Sequence, residues 1–295
     1  MKKPKYPVYV ISKGRADICL TARMFVEDKV PFKLVVEPQE FEDYAKYYPK
    51  EIIVTLPFSN LGLGSIPARN WVWQDAKASG AERHWIWDDN ISRTSFYWES
   101  RRVAINANIA ITEIEKFVDR YTNIAVAGMN YESFAFWKPT PYIRNCRVYS
   151  NLLIKNDIPF EWRGRYNEDT DLCLQVLSNN WATVLFNIYM IRKARTMTMK
   201  GGNTDQLYAG DGRLEMARSL ERNWPYVVET KRKYQRPQHH VKKIWTQFDT
   251  PLIRRDDIDW SAIENEKLDL KLIQQAEIKS AHLAKVVENY KNNAK

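Results

Sequence analysis

The sequence predicts an α/β fold, a sheet layered with helices. Short apolar runs bounded by turn residues alternate with longer stretches of helical periodicity, which is how strands and their covering helices appear in sequence. One of those runs, His84-Trp85-Ile86-Trp87, passes directly into Asp88-Asp89-Asn90. That places polar groups where open α/β sheets collect ligands, beyond the carboxyl ends of the strands.

The elements follow in order. Val8-Tyr9-Val10-Ile11 is a first strand, closed by the turn-like Ser12-Lys13-Gly14-Arg15,. A first helix is expected over 16–27. Phe32 to Val36 and Ile52 to Leu56 are strands beside prolines. Ser65 fits an N-cap and Pro67 a first helical turn, opening a helix that runs to about Ala78 and stops at Gly80,. After the His84–Trp87 strand, a long helix is expected from about Val103. Val103, Ala107, Ala110, Ile114, Phe117 and Tyr121 recur at alternating steps of four and three, along one helical face,. Ile124–Ala127, Val148–Ile154 and Thr183–Ile191 read as strands. Ser261 and Glu264 form a capping-box pattern ahead of a helix reaching about Tyr290,. The division expected is a catalytic domain over 1–230, then a basic linker and C-terminal helix over 231–295.

Composition narrows the class. With 295 residues, the chain can bury roughly 75% of its unfolded surface,. It needs neither disulfides nor a structural metal for its core, and the scattered Cys19, Cys146 and Cys173 supply neither,. No apolar run approaches the length of a membrane span, and the basic start lacks a signal-peptide core,. A cytoplasmic enzyme is expected. The net charge is +9, with 11 Trp and 16 Tyr. Such a balance suits a nucleic-acid partner, since phosphates attract the charge and bases stack on the rings. Lys231, Arg232, Lys233, Arg236, Lys242 and Lys243 crowd one stretch free of acidic residues, with Tyr234, His239, His240 and Trp245 interleaved.

Three segments carry chemistry. Asp88-Asp89-Asn90 offers oxygen ligands suited to Mg²⁺ or Mn²⁺, which complete their shells with phosphate and water; the same residue types also make ordinary turns. Gly62-Leu63-Gly64-Ser65 leads into a helix whose first turns hold Pro67 and Arg69. Backbone N–H groups and the dipole there suit a phosphate, and Arg69 could fork a diphosphate. Asn167-Glu168-Asp169-Thr170-Asp171 precedes a helical run and clusters more acid than capping requires. A clustered carboxylate can serve as a base.

Taken in order, these segments resemble the nucleotide-sugar glycosyltransferases of the GT-A fold. More narrowly, Val10 to Arg15, Trp87 to Ile91 and Asn167 to Asp171 look like the TET-associated glycosyltransferases. Those are phage-type enzymes thought to glycosylate 5-hydroxymethylpyrimidines in DNA. The resemblance spans roughly residues 6–225. It implies a Rossmann-like mixed sheet flanked by helices, to which the residues beyond it add a helical, partly basic C-terminal appendage. It also implies a UDP-sugar donor, a divalent metal (Mn²⁺ or Mg²⁺), and DNA carrying a hydroxymethylated pyrimidine as acceptor, probed first as 5-hydroxymethylcytosine. The setting it implies is the host cytoplasm.

Carried onto this chain, Ser12 and Arg15 would meet the nucleoside end of the donor and Arg69 its phosphates. Asp88 would hold ribose or sugar, with Asp89 and Asn90 at the metal. Asn90 departs from the acidic motif and is a weaker ligand than Asp. Late candidates for a further ligand are Asn203, Asp205, His239 and His240. Asp169 would be the general base and Glu168 would orient sugar hydroxyls, an arrangement expected to invert the anomeric centre. Trp137, Arg144, Trp162 and Arg163, with Tyr142 and Arg147, are candidates for contacting the acceptor DNA, and Lys200 to Asn203 for a lid. Two other readings fit the same residues: a GT-A enzyme acting on a protein, glycan or small molecule, and a metal-dependent nuclease or nucleotidyltransferase.

Overall fold

The computed structural model describes residues 3–98, 101–135, 140–164, 166–194, 212–233, 236–241 and 247–265. In chain order its strands are β1 (Val8–Ile11), β2 (Lys33–Val36), β3 (Ile53–Thr55), β4 (Arg83–Asp88), β5 (Ile91–Trp98), β6 (Arg101–Ile105), β7 (Ile124–Tyr131), β8 (Tyr142–Arg144), β9 (Asn151–Lys155), β10 (Ala182–Lys193), β11 (Val228–Lys233) and β12 (Arg236–Val241). The helices are α1 (Leu20–Asp28), α2 (Phe41–Ala45), α3 (Ile66–Ala78), α4 (Ala107–Val118), α5 (Glu132–Ala135), α6 (Glu168–Leu177), α7 (Gly212–Asn223) and α8 (Trp260–Asn265).

One mixed sheet runs β3-β2-β1-β4-β9-β7-β10-β5-β6, with β8 paired to β10. The first four strands are mutually parallel, and β9 is the antiparallel insertion between β4 and β7. Alternation along the strands buries both faces. Val8, Val10, Leu34, Trp85 and Trp87 pack with Phe25 of α1 and Ile111, Ile114 and Phe117 of α4. On the other face Tyr9, Val35 and Ile86 pack with Val72 and Trp73 of α3 and Leu172 and Cys173 of α6. Period-two side chains from a sheet covered twice give this pattern. At Gly128 a Cβ would collide with the backbone of Asn151, so β7 and β9 approach closely only because a glycine stands there,.

The expected α/β class and layering are found, and three elements differ in detail. The first helix begins at Leu20 rather than Ala16, because Ser12, Lys13 and Arg15 are drawn to the cavity and residues 16–18 form a turn. The helix expected from Val103 starts only at Ala107, where Asn106 caps it by accepting the N–H of Asn108 at 2.9 Å. Val103 belongs to the β5–β6 hairpin, which fills much of 91–105. The helical spacing was genuine from Ala107 onward, since Ala107, Ala110, Ile114 and Phe117 are all buried. Val228–Lys233 and Arg236–Val241, in a stretch expected mostly as a basic linker, pair as the antiparallel strands β11 and β12. They pack with α7 through Leu220 and Val228 against Leu174 of α6.

The helix near the C-terminus is capped by Asp259, not Ser261: the carboxylate accepts the N–H of Ala262 at 3.1 Å and the Ser261 hydroxyl at 2.6 Å. Its continuation towards Tyr290 lies outside the described residues, as do Trp137, the segment Lys200–Asn203 and Asp205. Among the described residues no helix is long and apolar enough to cross a membrane.

Candidate active site

The carboxyl ends of β1 and β4 lie side by side, with Ile11 in register with Asp88. A cavity of about 370 Å³ opens there. Ser12, Arg15, Arg69, Asp88, Asp89, Asn90, Glu168 and Asp169 all line it. The three acidic or glycine-containing segments singled out in the sequence therefore meet in one place.

Asp88 and Asp89 are neighbours in sequence but face different partners, as successive residues at a strand end do. Asp89 is turned inward. Its Oδ1 accepts from Arg15 Nη1 at 2.5 Å and its Oδ2 from the Ser12 hydroxyl at 2.8 Å. The Ser12 hydroxyl lies 2.6 Å from the Tyr44 hydroxyl, which also accepts the Arg15 N–H at 3.2 Å. Burial pushes the Asp89 carboxyl above its ordinary range, against the pull of Arg15. Asp88 is held between two cations instead. Its Oδ1 accepts from Arg69 Nη2 at 2.9 Å and its Oδ2 from Lys193 Nζ at 2.8 Å. Burial works against the ionised carboxylate, but Lys193 and Arg69 outweigh it and hold Asp88 well below the usual range. The same attraction raises Lys193 despite its desolvation. The backbone of the turn is fixed by Thr21, whose hydroxyl donates to the Asp88 carbonyl at 2.5 Å and accepts the Ile91 N–H at 2.9 Å.

Ser65 stands at the N-cap of α3, but its side chain makes no capping bond. Its hydroxyl donates to Glu168 Oε1 at 2.9 Å and accepts from Arg69 Nε at 3.2 Å. The local capping role is given up for the site. Gly62 and Gly64, at φ +70° and +66°, allow the loop before it to turn,. Across the cavity, Asn167 takes a left-handed conformation at φ 56° and donates to the Met216 carbonyl at 2.8 Å. This aims the first turn of α6 inward. Glu168 also faces Arg69 Nε at 3.3 Å, and burial pushes its carboxyl up. Asp169 Oδ1 accepts the Thr170 N–H at 2.6 Å.

Among the described residues, the expected acceptor contacts Arg144, Trp162 and Arg163 do not line this cavity. Trp162 is 1% exposed, with the Arg69 guanidinium 4.7 Å over its ring and Trp73 against its edge. It is a core platform under Arg69, not an open surface for a base. Arg163 forks Asp171, at 2.9 and 3.2 Å, and that carboxylate also accepts from Gln175 and from Trp224 Nε1, each at 2.7 Å. Arg144, on β8, is exposed and faces Asp249 at 3.7 Å. The sequence reading had passed over Lys193, Tyr131 and Ser150, which line the cavity too. The signal for Lys193 was its place just past the apolar run of β10, at the same kind of strand end that drew attention to Asp88.

The divalent ion implied by the resemblance does not fit this donor set. All four carboxylate oxygens of Asp88 and Asp89 already accept from Arg69, Lys193, Arg15 or Ser12, three of them cations. Asn90 Oδ1 is buried and unpartnered, but one neutral oxygen is a poor substitute for the carboxylates that hard cations require. His239 and His240, on β12, do not line the cavity. Among the described residues no group of three His, Cys, Asp or Glu side chains is placed to hold a metal.

The strand ends of a mixed sheet thus surround a cavity lined by interleaved cations and carboxylates, an arrangement suited to an anionic ligand. Comparison with known proteins makes the class specific. The family model of the TET-associated glycosyltransferases matches residues 6–202, and the chain belongs to that family. It is thus a glycosyltransferase. Among solved structures, a chain from Desulfovibrio desulfuricans G20, provisionally assigned as a nucleotide-diphospho-sugar transferase, is similar at 10% identity with a TM-score of 0.35. That match covers 62% of this chain and 80% of the other. No curated protein matches the chain.

Proposed function

We propose that this glycosyltransferase moves a sugar from a UDP-sugar to the hydroxyl of a 5-hydroxymethylpyrimidine in DNA, 5-hydroxymethylcytosine being the acceptor to test first. The observation that carries the reading is one cavity lined by Arg15, Arg69 and Lys193 together with Glu168 and Asp169 of the first turn of α6. Cleavage of the sugar–phosphate bond develops negative charge on the departing diphosphate, and Arg69 and Lys193 would stabilise it. Asp169 would take the proton of the acceptor hydroxyl, which needs a carboxylate within about 3 Å. Attack from that side, opposite the leaving group, inverts the anomeric carbon.

Ser12 and Arg15 would form the wall at the nucleoside end, held in place by Asp89. Glu168 would orient sugar hydroxyls from its bond with Ser65. Asp88, enclosed by its two cations, would set their positions rather than grip ribose. A metal role for Asp89 and Asn90 is not part of this reading, because Arg15 and Ser12 occupy the Asp89 oxygens.

The acceptor assignment is supported by the family and by charge. The net charge is +9, and Lys231 and Arg232 on β11, with Arg144, present exposed cations. Such groups bind phosphates without reading sequence. The setting we infer is the cytoplasm of a phage-infected bacterium. The test offers labelled UDP-sugars with duplexes containing either cytosine or 5-hydroxymethylcytosine. Label should enter the hydroxymethylated duplex alone. Release of UDP without labelled DNA would point to a protein, glycan or small-molecule acceptor, and DNA cleavage without any donor would point to a nuclease.

A further inference from the structure

We propose that the Lys193 ammonium, together with Arg69, takes the place of a divalent cation at the donor diphosphate, so that sugar transfer by this chain needs no metal. The inference rests on the donor reading above and adds a residue and a requirement to it. Lys193 is the last residue of β10, and its ammonium is brought across to β4. Nζ donates to Asp88 Oδ2 at 2.8 Å and to the Ser150 hydroxyl at 2.6 Å, with the Tyr131 ring 5.8 Å away. The side chain is 15% exposed and lines the cavity. Lys193 thus occupies Asp88 Oδ2, an oxygen that a divalent ion at the acidic motif would need. A divalent ion on Asp88 Oδ2 would sit within a few ångströms of an ammonium already there, and repulsion would oppose it.

Arg69 completes the argument. It is 4% exposed, and its Nη2 and Nε are spent on Asp88, Ser65 and Glu168. Its Nη1 is buried with no acceptor. A buried guanidinium N–H without a partner is costly, and a phosphate oxygen entering the cavity is the kind of acceptor it lacks. Asp88 bonds both cations, so it fixes their separation and spares them reorganisation when charge develops.

The step balances without a metal. The bond between the anomeric carbon and the leaving oxygen breaks, and its electron pair stays on the β-phosphate. Lys193 and Arg69 hydrogen-bond that diphosphate and keep their own protons. The acceptor oxygen bonds to the anomeric carbon, and its proton passes to Asp169.

The test measures binding of UDP, GDP, CDP, ADP and dTDP by calorimetry to the full chain, in EDTA and in Mn²⁺. The diphosphate that binds is then used with Lys193→Met and Lys193→Arg. Wild type should bind it equally well in both buffers. Lys193→Met should lose about tenfold or more in both, the worth of a hydrogen bond to a charged group. Lys193→Arg should regain most of it, which separates a charge role from a merely structural one. Lys193→Met should also bind Mn²⁺ more tightly than wild type by water-proton relaxation, because Asp88 is freed. Thermal melts of both variants identify a folding failure, and the wild-type comparison of EDTA with Mn²⁺ stands regardless. Wild-type binding that collapses in EDTA and returns with Mn²⁺ would overturn the proposal, as would Lys193→Met binding like wild type. If wild type binds no nucleoside diphosphate in either buffer, the donor reading itself fails and takes this inference with it.

Discussion

The two acidic clusters of the chain look alike in sequence and are used differently. In each, one carboxylate is locked into packing: Asp89 by Arg15 and Ser12, Asp171 by Arg163, Gln175 and Trp224. Asp88 lines the cavity, as do Asp169 and Glu168, the latter beside Arg69. Asp88 does so between two cations, whereas Asp169 bonds only the N–H and hydroxyl of Thr170 among the described residues. A carboxylate neutralised twice is suited to holding cations for a diphosphate. One with no cation in hydrogen-bond contact is better suited to taking a proton. On the reading proposed above, binding falls to the strand end and proton transfer to the helix start.

Substitutions can break that contrast. The largest effect is expected from Asp169→Asn. Transfer should fall about 10²–10⁴-fold, the span of general base catalysis, while calorimetric donor affinity stays near wild type. A parallel loss of both would move Asp169 to the binding side. Asp88→Asn should cost about 3–5 kcal/mol of stability, as breaking a buried ion pair does, and should weaken donor binding. Its pH dependence has a definite sign. Folding lowers the Asp88 pKa, so its contribution is full above the unfolded carboxylate range near ~4 and fades as pH falls below it. Urea midpoints of wild type and Asp88→Asn should therefore converge from pH 7 towards pH 3; a constant gap would contradict the pairing.

Asp171→Asn tests the packing side of the helix cluster. It leaves Arg163 without its ionised partner and should cost about 1–3 kcal/mol, seen in urea unfolding, with donor affinity of the folded fraction unchanged. Arg144→Ala is the smallest. Its ion pair is exposed, so stability should move by less than about 0.5 kcal/mol. If DNA tracks that face, the salt dependence of binding should become shallower by about one unit of slope.

Where sequence and structure agree, a local rule and the tertiary fold point the same way. Trp87-Asp88-Asp89-Asn90 was legible because a buried strand that stops in acid has few structural reasons to do so. The Gly62–Arg69 segment was legible for its loop and helix start, although Ser65 turned out to serve Glu168 instead of its own helix. Lys193 escaped notice because a lysine at a strand end is ordinary until the fold lets its side chain reach Asp88 from two strands beyond β4. Trp162 and Arg163 were judged by residue type, and type alone does not distinguish a base platform from the floor beneath Arg69. The β5–β6 hairpin was hidden by the spacing of Val103 with the helix that follows it, a periodicity that local sequence cannot cut at Asn106.

The most direct test of the account is release of nucleoside diphosphate from labelled nucleotide sugars by the wild-type chain in EDTA, with hydroxymethylated duplex present. The account predicts release matched by label entering the duplex. No release from any donor, with or without Mn²⁺, would contradict it.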